Sequence, residues 1–445
     1  MRILEYTLGL PPFRRGGLPR YSTDLSEELA KNNEVYLMYP GSINPYSKKI
    51  KLSKRKNDYS FTTVEMKNPL PVSLGLGIRD ERYYMEQRDI SALKKFVKQV
   101  VPDVVHFHTL MGIPKEFLEY LHDNKIKMIY TTHDFYGLCP KMLDEDPRKK
   151  LASPKCSYDC MLCNIGPSYK KIVIMQSHVY ERLKESKIIK KMRSKTKNRI
   201  FCENKDIILD KDQIELRYQL RKYYLDMFNL IDIFHFNSTV SKKYFQTFIP
   251  HLRGKVIPIT HGNLNDNRSK KRIFQVNHPI NLGYIGPYDN KKGFFLYTQI
   301  LQELEKKYEF KAHFYGDVVE RKIFNNKNFI NHGVVSSKEL NKEISKLDIV
   351  VVPSLWHETF GYVVLESLLE GVPCIVSNTV GAKDLVPSDW VFKNKKELST
   401  KLTAILANPD KVITKMNKRV IELSIIYNLV DHTSYIKKYL YLNDK

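Results

Sequence analysis

Short apolar runs rich in β-branched residues alternate with helix-like stretches along almost the whole chain, and this rhythm stops once and restarts. Arg2–Thr7, Val35–Tyr39, Asp103–His108, Lys127–Thr132, Asp232–Asn237 and Lys255–Ile259 read as strands of a first series. A helix from about Pro19 to Lys31, with proline in its first turn, follows the first of them. After a weakly patterned basic segment, 263–277, the series resumes. Strands Ile280–Ile285, Lys311–Tyr315, Asp348–Pro353 and Pro373–Ser377 are interleaved with helices Lys292–Lys306, Lys338–Lys346 and Gly361–Glu370. Strand–helix–strand repetition implies parallel sheets covered by helices. The fold class is therefore α/β, with two doubly wound, Rossmann-like domains. The first covers residues 1–262, a linker covers 263–277, and a smaller second domain covers 278–445. The second ends in a Tyr- and Lys-rich helix near His432–Leu442, which could pack back on the first domain. Ligands of such sheets bind at the carboxyl ends of the strands, so the cleft between the domains is the expected site.

Composition removes other classes. A chain of 445 residues with 42% apolar and 27% charged residues is an ordinary globular protein, long enough for two cores. Six cysteines do not make a disulfide scaffold at this length. Glu5 and Pro11-Pro12 break any apolar core that a signal peptide would need. The longest apolar stretch, Ile349–Trp356, is about half of a membrane span. A cytoplasmic protein is expected. The net charge is +24, with basic residues crowded between Lys184 and Arg199 against the single acid Glu185. Such a patch is either a solvated helix face or a surface for anionic lipid, where each basic residue contributes about 1 kcal/mol. No helix-turn-helix, RNP-like or zinc-finger pattern accompanies the charge, which argues against nucleic acid.

The chemistry concentrates in Pro353-Ser354-Leu355-Trp356-His357-Glu358-Thr359-Phe360-Gly361-Tyr362-Val363-Val364-Leu365-Glu366. A buried strand ends, a short loop carries Glu358, and a helix beginning near Gly361 carries Glu366 in its second turn. The free N–H groups near Phe360 and Gly361 and the positive end of the helix dipole form an anion site. Two carboxylates beside such a site would repel phosphate, so they are suited to neutral sugar hydroxyls. Gly286-Pro287-Tyr288-Asp289-Asn290-Lys291-Lys292-Gly293 places a loop and the cation Lys292 at the end of the second domain's first strand. Gly16-Gly17 holds the matching place in the first domain. Two phosphate-type loops with hydroxyl-binding acids between them describe a nucleotide-sugar site.

These residues resemble the retaining glycosyltransferases of family 4, which have the GT-B fold. The resemblance rests on Glu358 and Glu366 eight positions apart, on Gly286, Lys292 and Gly293, on Gly16-Gly17, and on His133 in Thr131-Thr132-His133-Asp134. It is strongest from about Asn281 to Val386. It implies transfer of a hexose-type sugar with retention of configuration, from a nucleotide sugar (UDP- or GDP-linked) and without a catalytic metal. Glu366 would hold the ribose and Glu358 the transferred sugar. Lys292, Gly286, Gly16, Gly17 and the backbone at Phe360 and Gly361 would hold the diphosphate, and His133 would face the sugar and acceptor. Glu358, His133 and Lys292 are the catalytic candidates. Many members have an arginine where this chain has Pro287, and Lys291 or Arg20 could supply the missing cation.

Cys139, Cys156, Cys160 and Cys163 follow His133-Asp134 with the spacing C-x16-C-x3-C-x2-C, inside a Cys-rich insertion at about 137–167. Four such thiols suit a structural zinc, the alternative being reduced, unliganded thiols. The combined reading is a glycosyltransferase of cell-surface polysaccharide synthesis. Its expected acceptor is a glycan or lipid-linked oligosaccharide, reached from an anionic membrane surface at the cytoplasmic face. A nucleotide-sugar epimerase of the same fold and a basic, metal-bound nucleic-acid-binding protein are the alternatives.

Overall fold

A computed structural model of the chain describes residues 1–14, 16–73, 78–138, 167–183, 186, 211–270, 276, 279–319 and 321–442. Two sheets organise it. The first contains β1 (Arg2–Tyr6), β2 (Glu34–Pro40), β3 (Lys51–Arg55), β4 (Thr62–Lys67), β5 (Val104–Phe107), β6 (Lys127–Thr131), β7 (Ile233–Phe236) and β8 (Gly254–Val256). Their order is β3-β4-β2-β1-β5-β6-β7-β8, parallel except for the antiparallel β3–β4 pair. The second contains β9 (Ile280–Ile285), β10 (Phe310–Tyr315), β11 (Phe329–Asn331), β12 (Ile349–Val352), β13 (Cys374–Ser377) and β14 (Val391–Phe392). Their order is β11-β10-β9-β12-β13-β14, parallel throughout.

The central strands of parallel sheets are covered on both faces, so they read as unbroken apolar runs. Ile349-Val350-Val351-Val352 and Cys374-Ile375-Val376 are of this kind. The missed strands lack that signal. Lys-Leu-Ser-Lys-Arg of β3 is largely polar on a sheet edge, and β11 and β14 have only three and two residues. β4 mixes threonines with Glu65, which is buried against Arg55. The helix expected from Pro19 begins two residues earlier, at Gly17, and runs to Ala30.

The terminal helix starts at Leu429, where the Asn428 side chain accepts from the Val430 amide at 2.8 Å. It runs on through a wider turn at Lys437–Tyr441 and lies on the first sheet, although its sequence belongs to the second half. There Tyr21 and His432 meet at 2.8 Å, Lys127 Nζ donates to the Tyr441 carbonyl at 3.0 Å, and the Tyr441 hydroxyl reaches Glu5 at 2.8 Å. Residues 263–270 pack on the second lobe, where Arg268 donates to the Leu423 carbonyl at 2.6 Å and Asn267 N to Leu369 O at 2.8 Å. Among the described residues no helix is long and apolar enough to cross a membrane.

Two glycines separate backbone strain from crowding. Gly333 sits at φ +68° with its nearest neighbour 3.7 Å from where a Cβ would stand. Gly293 sits at φ +73°, and a Cβ there would stand 1.8 Å from the Pro353 carbonyl oxygen. Gly333→Ala should cost about 1–2 kcal/mol, the penalty of a left-handed residue with a Cβ. Gly293→Ala should cost clearly more, because the Pro353 backbone must also move. Urea-unfolding midpoints of the two variants measure the difference, and equal losses would contradict this reading.

Candidate active site

The second lobe builds its half of the site from two loops joined through main-chain atoms. The Lys291 carbonyl accepts from the amides of Leu355 and Trp356 at 2.8 and 2.9 Å. The Asp289 carboxylate accepts from the Lys292 amide at 2.8 Å, which turns the loop back toward β12. As a result Lys292 Nζ lies 2.8 Å from Glu358 Oε1, so the two candidate residues from separate sequence motifs form an ion pair. Lys291 instead places its ammonium 4.8 Å above the Trp356 ring. Gly286, at φ +152°, hydrogen-bonds through its amide to Tyr315 O at 2.8 Å at the end of the neighbouring strand.

Glu358 is held from both sides. Its amide donates to Thr379 O at 3.0 Å, and its carbonyl accepts from the Gly381 amide at 2.9 Å. The Phe360 ring is buried, and the Phe360 carbonyl accepts from the Ala382 amide at 2.8 Å. Gly361 takes φ +106° to start the helix Tyr362–Leu369 and provides no side-chain cap. The amides of Gly361 and Tyr362 meet no acceptor among the described residues, so these donors and the helix dipole are available to an anion. Glu366 lies one turn along this helix, with Oε1 3.4 Å from His261 Nε2.

The first lobe meets that helix directly. A Cβ on Gly17 would stand 3.1 Å from the Tyr362 ring, so the Gly16-Gly17 turn packs against the first turn of the second lobe's helix. Gly16 is the uncapped start of the helix Gly17–Ala30, at φ +132°. Tyr362 donates to Thr260 O at 3.3 Å, and the charge of Arg20 acts on its hydroxyl. Burial, the larger effect, pushes that hydroxyl far above its ordinary pKa. Arg20 lies in the first turn of the helix Gly17–Ala30, close enough for its charge to oppose that rise. Thr359, between Glu358 and Phe360, is bound twice by the first lobe. Its hydroxyl donates to the His133 carbonyl at 2.8 Å, and its carbonyl accepts from Ser238 Oγ at 2.6 Å. The Thr239 amide and hydroxyl both reach Asp384 at 2.6 Å.

His133 thus stands at the seam between the lobes, its ring 4.9 Å from that of Tyr21. Burial, reinforced by His108, His235, His106 and His432, holds its pKa well below the usual histidine value, so the ring is neutral. Burial also raises Asp134 to about 6, against the pull of the Tyr136 amide that it accepts at 3.0 Å. The structure therefore gathers Gly16, Gly17, His133, Gly286, Lys292, Glu358, Phe360, Gly361 and Glu366 around the meeting edges of the two sheets. Cys139, Cys156, Cys160 and Cys163 lie outside the described residues.

Sequence reasoning missed His261, Thr359, Ser238 and the histidines behind His133. Thr359 lies inside the recognised motif, but its hydrogen bonds come from residues more than a hundred positions away. His261, in Thr260-His261-Gly262, lies in the segment that follows β8, the last strand of the first series, and that place was the available signal.

A separate cavity of about 750 Å³ opens in the first lobe. It lies between the Leu8–Arg14 loop, the end of β2, and the helices Tyr169–Met175 and His178–Leu183. Arg14, Lys56 and Arg182 line it together with Tyr39, Tyr59 and Tyr180.

Comparison with known proteins agrees with this architecture. A family model described as "Glycosyltransferase Family 4" matches residues 15–156, and one described as "Glycosyl transferases group 1" matches residues 279–408. An uncharacterised 41.2 kDa protein in the cps region of Klebsiella pneumoniae is 32% identical over 111 residues, which are 24% of this chain and 30% of that relative. Among solved structures, Alr3699/HepE of Anabaena aligns over 98% of this chain and 99% of its own, with TM-score 0.53 and 12% identity. An alpha,alpha-trehalose-phosphate synthase of Burkholderia xenovorans aligns over 98% and 99%, with TM-score 0.54 and 10% identity. The lipopolysaccharide outer core galactosyltransferase WaaB aligns over 98% of both chains, with TM-score 0.53 and 11% identity. At these identities the structures show a shared fold. With a glycosyltransferase model matching a stretch of each half, and with the two-sheet GT-B architecture spanning nearly the whole chain, the protein belongs to the family 4 glycosyltransferases.

Proposed function

We propose that the protein transfers a hexose-type sugar, with retention of configuration, from a nucleoside diphosphate sugar to a glycan acceptor. The observation that carries this reading is the convergence of Lys292, Glu358, the open amides of Gly361 and Tyr362, and the Gly16-Gly17 turn at one seam. Solved relatives of the fold support the donor class: HepE was crystallised with UDP and, separately, with UDP and glucose.

The chemistry follows from the groups present. The bond from the sugar's anomeric carbon to the diphosphate oxygen breaks, and negative charge grows on the leaving diphosphate. Lys292 and the helix-start amides stabilise that charge more strongly in the transition state than in the ground state. Glu366 accepts from the ribose hydroxyls, beside His261, whose Nε2 lies 3.4 Å from its Oε1. Glu358 accepts from hydroxyls of the transferred sugar while remaining paired with Lys292. His133 faces the sugar and acceptor. The acceptor hydroxyl attacks the face the diphosphate leaves, and its proton passes to the departing phosphate oxygen, so no side-chain nucleophile is needed. The first-lobe cavity is the acceptor's place in this reading. Its tyrosine faces suit sugar rings, and its arginines and lysine suit a phosphate-linked end.

The acceptor is proposed to be lipid-linked and used at the cytoplasmic membrane face, in polysaccharide synthesis. The basic run Lys184–Arg199, all but Ser186 outside the described residues, supports docking on anionic lipid, and the relative from a cps region supports the pathway class. The four insertion cysteines are proposed to hold a structural zinc. Metal analysis of the purified chain should find one zinc per molecule, and none would contradict it.

In a thermal-shift series of UDP-, GDP-, ADP- and dTDP-sugars, a UDP- or GDP-sugar should raise the melting temperature, since a ligand bound only by the folded state stabilises it. Glu366→Ala should weaken donor binding by about 1.5–3 kcal/mol, roughly 10–150-fold. Glu358→Ala should mainly lower kcat. Wild-type turnover in both variants would remove the assignment. Membrane-bound protein should be released by high salt. Release only by detergent would count against electrostatic docking.

A further inference from the structure

Behind His133 lies a buried cluster that the transfer reaction, as described above, does not use. Glu5, His106 and His108 are fully buried on the adjacent strands β1 and β5 or just beyond their ends. Their side-chain ligand atoms lie within 4.8 Å of one another, a spacing that a metal could use. All four ring nitrogens, however, already meet hydrogen-bond partners. His106 meets Tyr441 at 2.8 Å and Thr131 at 2.7 Å, and His108 meets Glu5 at 2.5 Å and His133 at 3.2 Å. The cluster is a hydrogen-bonded run.

One branch leads from the Ile257 carbonyl through His235 (2.7 Å), Thr131 (2.9 Å), His106 (2.7 Å) and Tyr441 (2.8 Å) to Glu5 Oε1 (2.8 Å). The branch ends on the Glu5 carboxylate, where the Tyr441 hydroxyl donates to Oε1 and leaves Oε2 to accept from another donor. Burial pushes the Glu5 carboxyl up, but the charge of His106 and the hydrogen bonds from His106 and His108 hold it at about 2. Burial, then the charge of His106, lowers His108 to about 4, so that ring is neutral.

The second branch is then fixed in direction. Glu5 Oε2 accepts, so His108 donates through Nε2. The remaining nitrogen of a neutral His108, Nδ1, must accept, so His133 donates to it through Nε2. His133 Nδ1 is left with a lone pair. It makes no hydrogen bond among the described residues and is not among the buried unpartnered atoms.

We propose that Glu5 and His108 are positioning residues which lock His133 in the tautomer protonated at Nε2, leaving Nδ1 at the interlobe seam as a hydrogen-bond acceptor for a sugar hydroxyl. The inference rests on the reading that His133 meets the reacting sugars. Holding a histidine tautomer through a buried carboxylate is a large effect where it has been isolated in other enzymes. Here the carboxylate acts through a second ring.

The test is the tautomer itself, read by long-range ¹H–¹⁵N correlation on the full chain with ¹⁵N-labelled histidine. The signals of His133 are identified by their loss in His133→Gln. The wild type should show His133 with a pyrrole-type Nε2 and a pyridine-type Nδ1. A proton on Nδ1, or a doubly protonated ring at neutral pH, overturns the proposal. In Glu5→Gln the amide can donate to His108, so both rings should invert. kcat should then fall at least about tenfold while donor Kd stays within about twofold. An unchanged His133 tautomer in that variant overturns the role of Glu5. If Glu5→Gln does not fold, the wild-type spectrum alone decides. Failure of nucleotide sugars to bind would contradict the proposed function but leave the spectral result standing.

Discussion

The site depends on Thr359. This residue lies between Glu358 and Phe360 in the second lobe, yet its hydroxyl and its carbonyl both bond to the first lobe, to the His133 carbonyl and the Ser238 hydroxyl. A parallel sheet presents all of its loops at one edge. The Thr359 contacts bring two such edges into register, so that the helix start at Gly361 faces the Gly16-Gly17 turn. Without that register Lys292 and Glu358 would still pair, but they would pair on the face of one lobe with nothing opposite.

The second constraint is the polar cluster that lies beneath. The first lobe buries His106, His108 and His235 together with Glu5, and polar groups buried in this way are costly unless they are hydrogen-bonded. The terminal segment resolves this by delivering Tyr441 and His432 onto the first sheet. The Tyr441 hydroxyl joins Glu5 to His106, and His432 takes the Tyr21 hydroxyl. The chain's last helix thus completes the polar interior of its first domain, directly behind His133.

Much of this was legible in the sequence where physics acts locally. Unbroken apolar runs such as Ile349–Val352 marked central parallel strands, and the Pro353–Glu366 stretch announced a strand, a loop and a helix start with two acids in fixed phase. Gly293 and Gly361 take the left-handed backbone that their loops require. What stayed hidden depends on long-range placement. β3 is a polar edge strand with no periodic signal, and His261 acquires meaning only when the second lobe's Glu366 arrives beside it. Glu5 read only as an interruption of an apolar segment, because nothing nearby in sequence reveals that His108, 103 residues away, will bond to it.

The most direct measurement is a crystal structure of the chain with a nucleoside diphosphate sugar. The account predicts the diphosphate within hydrogen-bond distance of Lys292 Nζ and of the Gly361 and Tyr362 amides, with the ribose on Glu366. A nucleotide bound elsewhere, with Glu358 and Glu366 left untouched, would contradict it.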